Sequence, residues 1–247
     1  MMLKKRFVEA VLRIATGLVE PHFMAGWSGG RKVIAPGVAH AETITTFHSA
    51  RFMEHPNCAN CVLDGNPLHE EQLEIVSMLG RVSAVNVVID EDRRISMINF
   101  GEVVESHMAA VRHVRTYAEV PLPERFSTVI TSAAGYPLDK TYYQTVKGMV
   151  GALDILEPGG TLVIASACSE GMGSAEYVSS QRKLLDMGAE FFLKHIKAKS
   201  HAAVDEWQTE MLLKPLRAGQ VGLYTEGLTE EELSLIHISE PTRRTPI

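Results

Sequence analysis

Apolar spacing along the first half of the chain switches between helical and strand periods. Residues 7–15 (FVEAVLRIA) break an apolar run with Glu9 and Arg13, which predicts a short amphipathic helix. Residues 16–20 (TGLVE) are a short strand candidate. They lead into a loop over 21–37, PHFMAGWSGGRKVIAPG, with four glycines and two prolines. The Leu73, Val76, Leu79 spacing predicts a helix over 69–80, followed by an apolar strand over 82–89 that ends at Asp90. A further strand is expected over 95–100. A helix over 102–117 follows from Val103, Met108, Val111 and Val114.

Glu119-Val120-Pro121-Leu122-Pro123 reads as a linker. Beyond it the pattern becomes strand, helix, strand: a β-branched run at 128–131, a helix over 140–156, and a buried strand over 161–167 after the Pro158-Gly159-Gly160 turn. Such a βαβ unit requires a right-handed crossover and a parallel sheet. Helices over 175–187, 190–199 and 205–216 and a strand over 221–224 complete the pattern. The expected fold class is α/β, with two α/β domains over 1–119 and 120–232. The second has a Rossmann-like parallel βαβ core, and the active site is expected in the interdomain cleft.

Composition narrows the function classes. The 247 residues are 45% hydrophobic and 22% charged, an ordinary globular balance. A formal net charge of -6, without a basic run, argues against nucleic-acid or anionic-membrane partners. No apolar stretch is long enough to span a bilayer, and the basic start is not followed by the apolar core of a signal peptide. A cytoplasmic location is expected, and three cysteines (Cys58, Cys61, Cys168) suit a reducing compartment. Residues 233–243 read LSLIHISEPTR, the translation of one frame of a common transposase sequencing adapter. Residues 233–247 are therefore read as adapter read-through, the alternative being a genuine polar tail. The natural chain is expected to continue past Glu232, because GLTEEEL looks like a helix opening, with Thr229 as N-cap and Glu232 three residues on.

The glycine-rich segment Gly26-Trp27-Ser28-Gly29-Gly30-Arg31-Lys32 fails the P-loop spacing, and Val33 stands where a magnesium-binding Ser or Thr would be. It fails the dinucleotide fingerprint too. Glycines still allow a close approach of backbone N–H groups to a ligand, with Lys32 delivered beside them, although a plain tight turn is the simpler reading. Five of the ten histidines (His22, His40, His48, His55, His69) fall between His22 and His69. Neutral imidazole serves as a metal ligand or acid/base group, but no pair has HExxH spacing, and a lone histidine is usually structural. Cys58-Ala59-Asn60-Cys61 lacks a second pair and reads as two incidental thiols before a zinc or redox site. Tyr143 and Lys147 are i and i+4 on one helical face with Gln144 beside them, a set suited to a small hydroxy carboxylate or to a solvated face.

Together these features resemble the nickel-pincer lactate racemase family. His22, the Gly26–Lys32 run, Pro36-Gly37 and His48 match one signature in order and spacing. Tyr136-Pro137-Leu138-Asp139 through Tyr143-Gln144 to Lys147-Gly148 matches a second. The resemblance implies that residues 1–119 are the later part of the cofactor-binding domain and 120–232 the C-terminal domain, with both ends truncated. It implies nickel and a pyridinium-3-thioamide-5-thiocarboxylic acid mononucleotide as cofactor. Lys32 would hold it covalently with Ser28, Gly29 and Gly30 around it, and His48 would ligate the metal. His22 would be one of two catalytic acid/base histidines, and Tyr143, Gln144, Lys147 and Trp207 would bind substrate. Burial beside Arg31 would keep Lys32 partly neutral for its attack.

The implied reaction is inversion at C2 of a small 2-hydroxy acid, lactate before malate or an aldonic acid. Removing the hydroxyl proton while hydride leaves C2 for the cofactor avoids a carbanion. Hydride then returns to the other face, so two bases on opposite sides are needed. The second catalytic histidine, a substrate-binding arginine and the phosphate-binding residues of the family have no counterpart in this chain. It is therefore expected to show no useful activity alone, and its first domain to leave apolar surface unpaired. Implied partners are the hydroxy acid and the proteins that make the cofactor. The competing readings are a non-catalytic cofactor-binding paralogue and a nickel or zinc protein without an organic cofactor.

Overall fold

The structure, a computed structural model, describes residues 2–236 and divides into two compact units, 1–121 and 122–247. The tail over 237–247, and with it most of the expected read-through, lies outside the described residues.

The first unit opens with a single helical turn, α1 (Lys5–Val8), and then β1 (Ile14–Leu18). The helix expected over 7–15 is therefore shorter. Val11 and Leu12 are exposed and find nothing to pack on, while the Arg13 guanidinium takes the carbonyls of Phe7, Val8 and Leu79. Ile14 to Leu18 join a sheet in parallel with later residues, which withdraws them from any helix. The stretch expected as a loop contains β2 (Pro21–His22), β3 (Gly26–Trp27) and a turn of helix, α2 (Arg31–Ile34). Next come α3 (Ala41–Phe47), α4 (Ala50–Met53) and α5 (Pro67–Leu79). Asn66 caps α5 through the N–H groups of Leu68 and His69, Pro67 fills its first position, and Gly80 stops it. Strands β4 (Ser83–Ile89) and β5 (Ile95–Glu102) precede α6 (Val103–Ala118).

The first sheet has the order β1-β4-β5, parallel then antiparallel. Ala84, Asn86 and Val88 of β4 are buried, and Val88 packs with Val19, Trp27, Leu63, Ala110, Val111 and Val114. Ile98 and Phe100, which pair with Val87 and Val85, stay exposed. Strands β2 and β3 form a separate two-residue hairpin.

The second unit runs β6 (Phe126–Ser132), α7 (Tyr142–Gly151), a 3-10 turn (Leu153–Ile155), β7 (Leu156–Ala165), α8 (Ala175–Met187), α9 (Ala189–Lys197), α10 (Glu206–Ala218), β8 (Gln220–Tyr224) and α11 (Glu230–Ser234). Its sheet is parallel throughout in the order β6-β7-β8, the α/β arrangement that strand-helix-strand periodicity predicts. Pro158-Gly159-Gly160 lies inside β7 rather than before it. Phe126 pairs Leu156 but Thr128 pairs Thr161, so the extra residues bulge from the ladder, and Gly159 takes a φ of +80° to allow it. Thr229 and Glu232 form the reciprocal capping box expected of GLTEEEL. No helix of the described residues is long and apolar enough to cross a membrane.

Leu162 lies at the centre of β7 with 0% exposure. Leu162→Ala is expected to lower stability by about 2–5 kcal/mol, because the sheet cannot collapse on the space left behind. Urea unfolding checks it, and a loss below about 1 kcal/mol would mean that the strand is not packed as described.

Candidate active site

The loop after β1 is fastened at nearly every residue. Ser28 Oγ donates to Leu18 O at 2.8 Å and accepts from the Glu20 N–H at 3.0 Å. Gly30 N–H donates to the Asn86 side-chain oxygen at 3.2 Å, and the Asn86 amide is itself fixed by Asn99 and Ser106. Met24 O receives the Asn66 amide at 3.0 Å. Gly29 and Gly30 have φ of +77° and +47°, and a Cβ at Gly30 would strike the His107 ring at 2.4 Å. The glycines of this loop thus serve its packing against β1 and α6, and Lys32, half-buried, stands one residue into α2.

Arg31 holds the assembly together. Fully buried, it donates from Nη2 to Ala25 O at 2.8 Å, from Nη1 to Trp27 O at 3.1 Å and from Nε to His69 Nδ1 at 2.6 Å. His107 Nε2 lies 3.1 Å from Nη1 and 2.9 Å from Ser28 O. No carboxylate pairs with Arg31 among the described residues, so its charge is met by two carbonyls and imidazole. Burial brings its pKa down to about 9. Burial, then the Arg31 charge, lowers His69 to about 4 and His107 to about 3. His69 stands out in the sequence only as one of a cluster, and nothing there marks His107 or Asn86. Their partners in the loop are 38 or more residues away, beyond any local pattern.

His22 sits on β2 with its ring stacked on Phe23 at 4.9 Å. His48 closes α3, and its Nδ1 lies 2.7 Å from Ile44 O. A carbonyl only accepts, so Nδ1 carries the proton and Nε2 the lone pair, the orientation of a metal-binding histidine. Among the described residues no cluster of three or more His, Cys, Asp or Glu could hold a metal unaided. Cys58 is buried beside the Asn66 side chain, and Cys61 lends its carbonyl to Trp27, which suits structural roles for both.

In the second unit Thr141 caps α7 through the Gln144 N–H, and Gly148 lets the helix approach β6 so closely that a Cβ would meet Ser132 O at 2.7 Å. Tyr143 and Lys147 share a face as the spacing predicts, with Lys147 Nζ 5.9 Å from the Tyr143 ring. Trp207, from the first turn of α10, donates its indole N–H to Tyr143 OH at 3.0 Å, and Gln208 holds Tyr143 O at 2.7 Å. Three of the four expected substrate residues are thereby brought together, and Gln144 follows Tyr143 in the same turn of α7. Burial, and secondarily Asp205, pushes the Tyr143 phenol up to about 12, so at neutral pH it is a hydrogen-bonding hydroxyl. Asp205, which no sequence signal marks, accepts from Ser174 at 2.5 Å beside a cavity of about 490 Å³ lined also by Thr141, Tyr143, Glu170 and Gly173.

Family models described as the lactate racemase N-terminal and C-terminal domains match residues 1–60 and 123–243. The chain belongs to the lactate racemase family. It is 31% identical over 229 residues to the lactate racemase of Thermoanaerobacterium thermosaccharolyticum, covering 93% of this chain and 54% of that one. Against the lactate racemase of Lactiplantibacillus plantarum it is 30% identical over 216 residues, covering 87% and 50%. The chain thus spans about half the length of the curated relatives it matches. The lactate racemase apoprotein structure from T. thermosaccharolyticum superposes with a TM-score of 0.89 at 30% identity, over 96% of this chain and 57% of that one. A Thermotoga maritima protein at 18% identity and TM-score 0.67 shares the fold, over 96% of this chain and 61% of that one.

The two buried histidines make a pH prediction for the family's loop. In the unfolded chain they take up protons near pH 6.5, whereas in the folded chain they stay neutral down to about 4 and about 3. The contribution of this pair to stability is therefore full above pH 6.5 and falls as the solution is acidified toward 4, by up to roughly 1.4 kcal/mol per pH unit for each histidine. Urea midpoints between pH 7 and 5 measure the slope, which His107→Gln should reduce; an unchanged slope would rule His107 out as a source.

Proposed function

We propose that the protein is part of an isomerase that inverts C2 of a small 2-hydroxy acid, lactate foremost, with a covalently held nickel-pincer nucleotide. The observation that carries the reading is His48. Its imidazole is oriented by a backbone carbonyl so that Nε2 has the lone pair, and it lies in a chain with no self-sufficient metal cluster among the described residues. Lys32, at the end of the fastened loop, is the amine that would hold the nucleotide. Arg31 beside it is buried and bonded to Ala25, Trp27 and His69, so the backbone that carries Lys32 is held in place. When bound, the group supplies the hydride acceptor, and the protein supplies everything else.

The chain's own residues then have distinct tasks. His22 handles the proton of the substrate hydroxyl. Lys147 meets the carboxylate, and the Tyr143 hydroxyl, held by Trp207, orients the substrate's oxygen atoms from the same face. Gln144 adds an amide beside them. Ser28, Gly29 and Gly30 wall the nucleotide side, Ser28 keeping its bond to β1 and Gly30 its bond to β4.

Intact mass after co-expression with the cofactor-making proteins tests the reading. The wild-type chain is expected to carry a nickel-bearing adduct that Lys32→Ala lacks, and His48→Ala should keep the organic adduct while losing nickel. Nickel retained in full by Lys32→Ala would replace this reading with a plain metal site. A wild type without adduct would point either to family residues that this chain lacks or to a non-catalytic relative, and repeating the measurement with the upstream reading frame restored would tell the two apart.

A further inference from the structure

His22 is held by its own turn. Its Nδ1 accepts the backbone N–H of Met24 at 3.3 Å and of Ala25 at 3.2 Å. A ring nitrogen that accepts carries no proton, so neutral His22 has its proton on Nε2. The turn that presents these two N–H groups is fastened from below. Ala25 O receives Arg31 Nη2 at 2.8 Å, Trp27 O receives Nη1 at 3.1 Å, and Met24 O receives the Asn66 amide at 3.0 Å. Arg31 cannot drift from this position, because it is fully buried and its Nε is committed to His69 on α5.

We propose that Arg31 is a positioning residue for His22: by fixing Ala25 it locks the imidazole as the Nε2–H tautomer, a hydrogen-bond donor toward a substrate oxygen. The inference rests on the reading that His22 handles the substrate proton. A neutral imidazole whose other nitrogen faces backbone N–H groups polarises a carbonyl oxygen without being an acid, which suits the keto-acid stage of the inversion. The other stage makes the opposite demand. To take the hydroxyl proton at Nε2, the ring must first lose its proton there to water and gain one at Nδ1, where Met24 and Ala25 stand as donors. The 22–25 turn must therefore open for His22 to act as a base, and Arg31 sets how readily it does.

Nitrogen NMR of the full chain labelled with 15N-histidine tests this, with His22 assigned by His22→Gln. The expected spectrum at neutral pH has a pyridine-type Nδ1 and a pyrrole-type Nε2 at His22. In Arg31→Lys, which keeps a buried cation but loses the fork, the two resonances should move toward each other as the tautomers mix. A wild-type His22 with its proton on Nδ1 would overturn the proposal outright. So would an Arg31→Lys spectrum identical to wild type at His22. Should Arg31→Lys fail to fold, Arg31→Gln takes its place, and loss of fold by both would assign Arg31 a purely structural role and overturn the link to His22. The spectrum needs neither cofactor nor substrate. A locked tautomer in a chain that forms no Lys32 adduct would therefore bear on the functional reading alone and leave the lock standing.

Discussion

A fully buried guanidinium without a carboxylate partner is the constraint on which the first unit turns. Leaving such a charge unmet would cost several kcal/mol, so the surrounding chain must bring oxygen and nitrogen acceptors to it. The carbonyls of Ala25 and Trp27 and the ring of His69 do so. Each of these acceptors is committed elsewhere: Trp27 to the apolar core, His69 to α5, Ala25 to the His22 turn. Satisfying Arg31 therefore fixes the loop, one helix and one candidate catalytic ring at once. Because His69 and His107 must remain neutral beside it, the same constraint couples the loop's integrity to pH.

The glycines take their meaning from that constraint. Gly17, Gly29 and Gly30 are small so that β1, the loop and α6 can approach one another: a Cβ at Gly17 would meet Val33 at 2.7 Å, one at Gly29 would meet Val19 at 2.6 Å, and one at Gly30 the His107 ring. A glycine-rich segment next to a lysine invites a phosphate-cradle reading from sequence. In this fold the Gly30 N–H goes to Asn86 instead, and the lysine alone is carried onward.

Much of the fold was legible because its signals are local. Thr229 with Glu232 marks a helix start by its own side chain, and Tyr143 with Lys147 lie on one face by helical spacing alone. The hidden features depend on partners far along the chain. Residues 7–15 have helical spacing, but Arg13 takes carbonyls from α1 and from Leu79, 66 residues on, and the chain from Ile14 onward is drawn into β1. Pro158-Gly159-Gly160 has turn composition, yet the parallel neighbour on β6 continues past it and absorbs it as a bulge. Arg31 was visible as a charge beside Lys32. Its role as the hub was not, because that depends on His69 and His107 from two helices packed by tertiary structure.

The two units solve the placing of side chains in different ways. In the first, backbone groups do it: His22 and His48 are each set by main-chain N–H or C=O, with the opposite ring nitrogen protonated in the two cases. A backbone partner cannot rotate away, so each ring has one favoured tautomer, and His22 must break bonds to change its own. In the second unit, side chains hold one another. Tyr143 is gripped by Trp207 and Gln208, while Lys147 is exposed and overlies the Tyr143 ring, a contact worth about 0.5–1 kcal/mol at such a site. Tyr143 is therefore set at both its hydroxyl and its own carbonyl by side chains of α10, as firmly as backbone partners set His22 and His48.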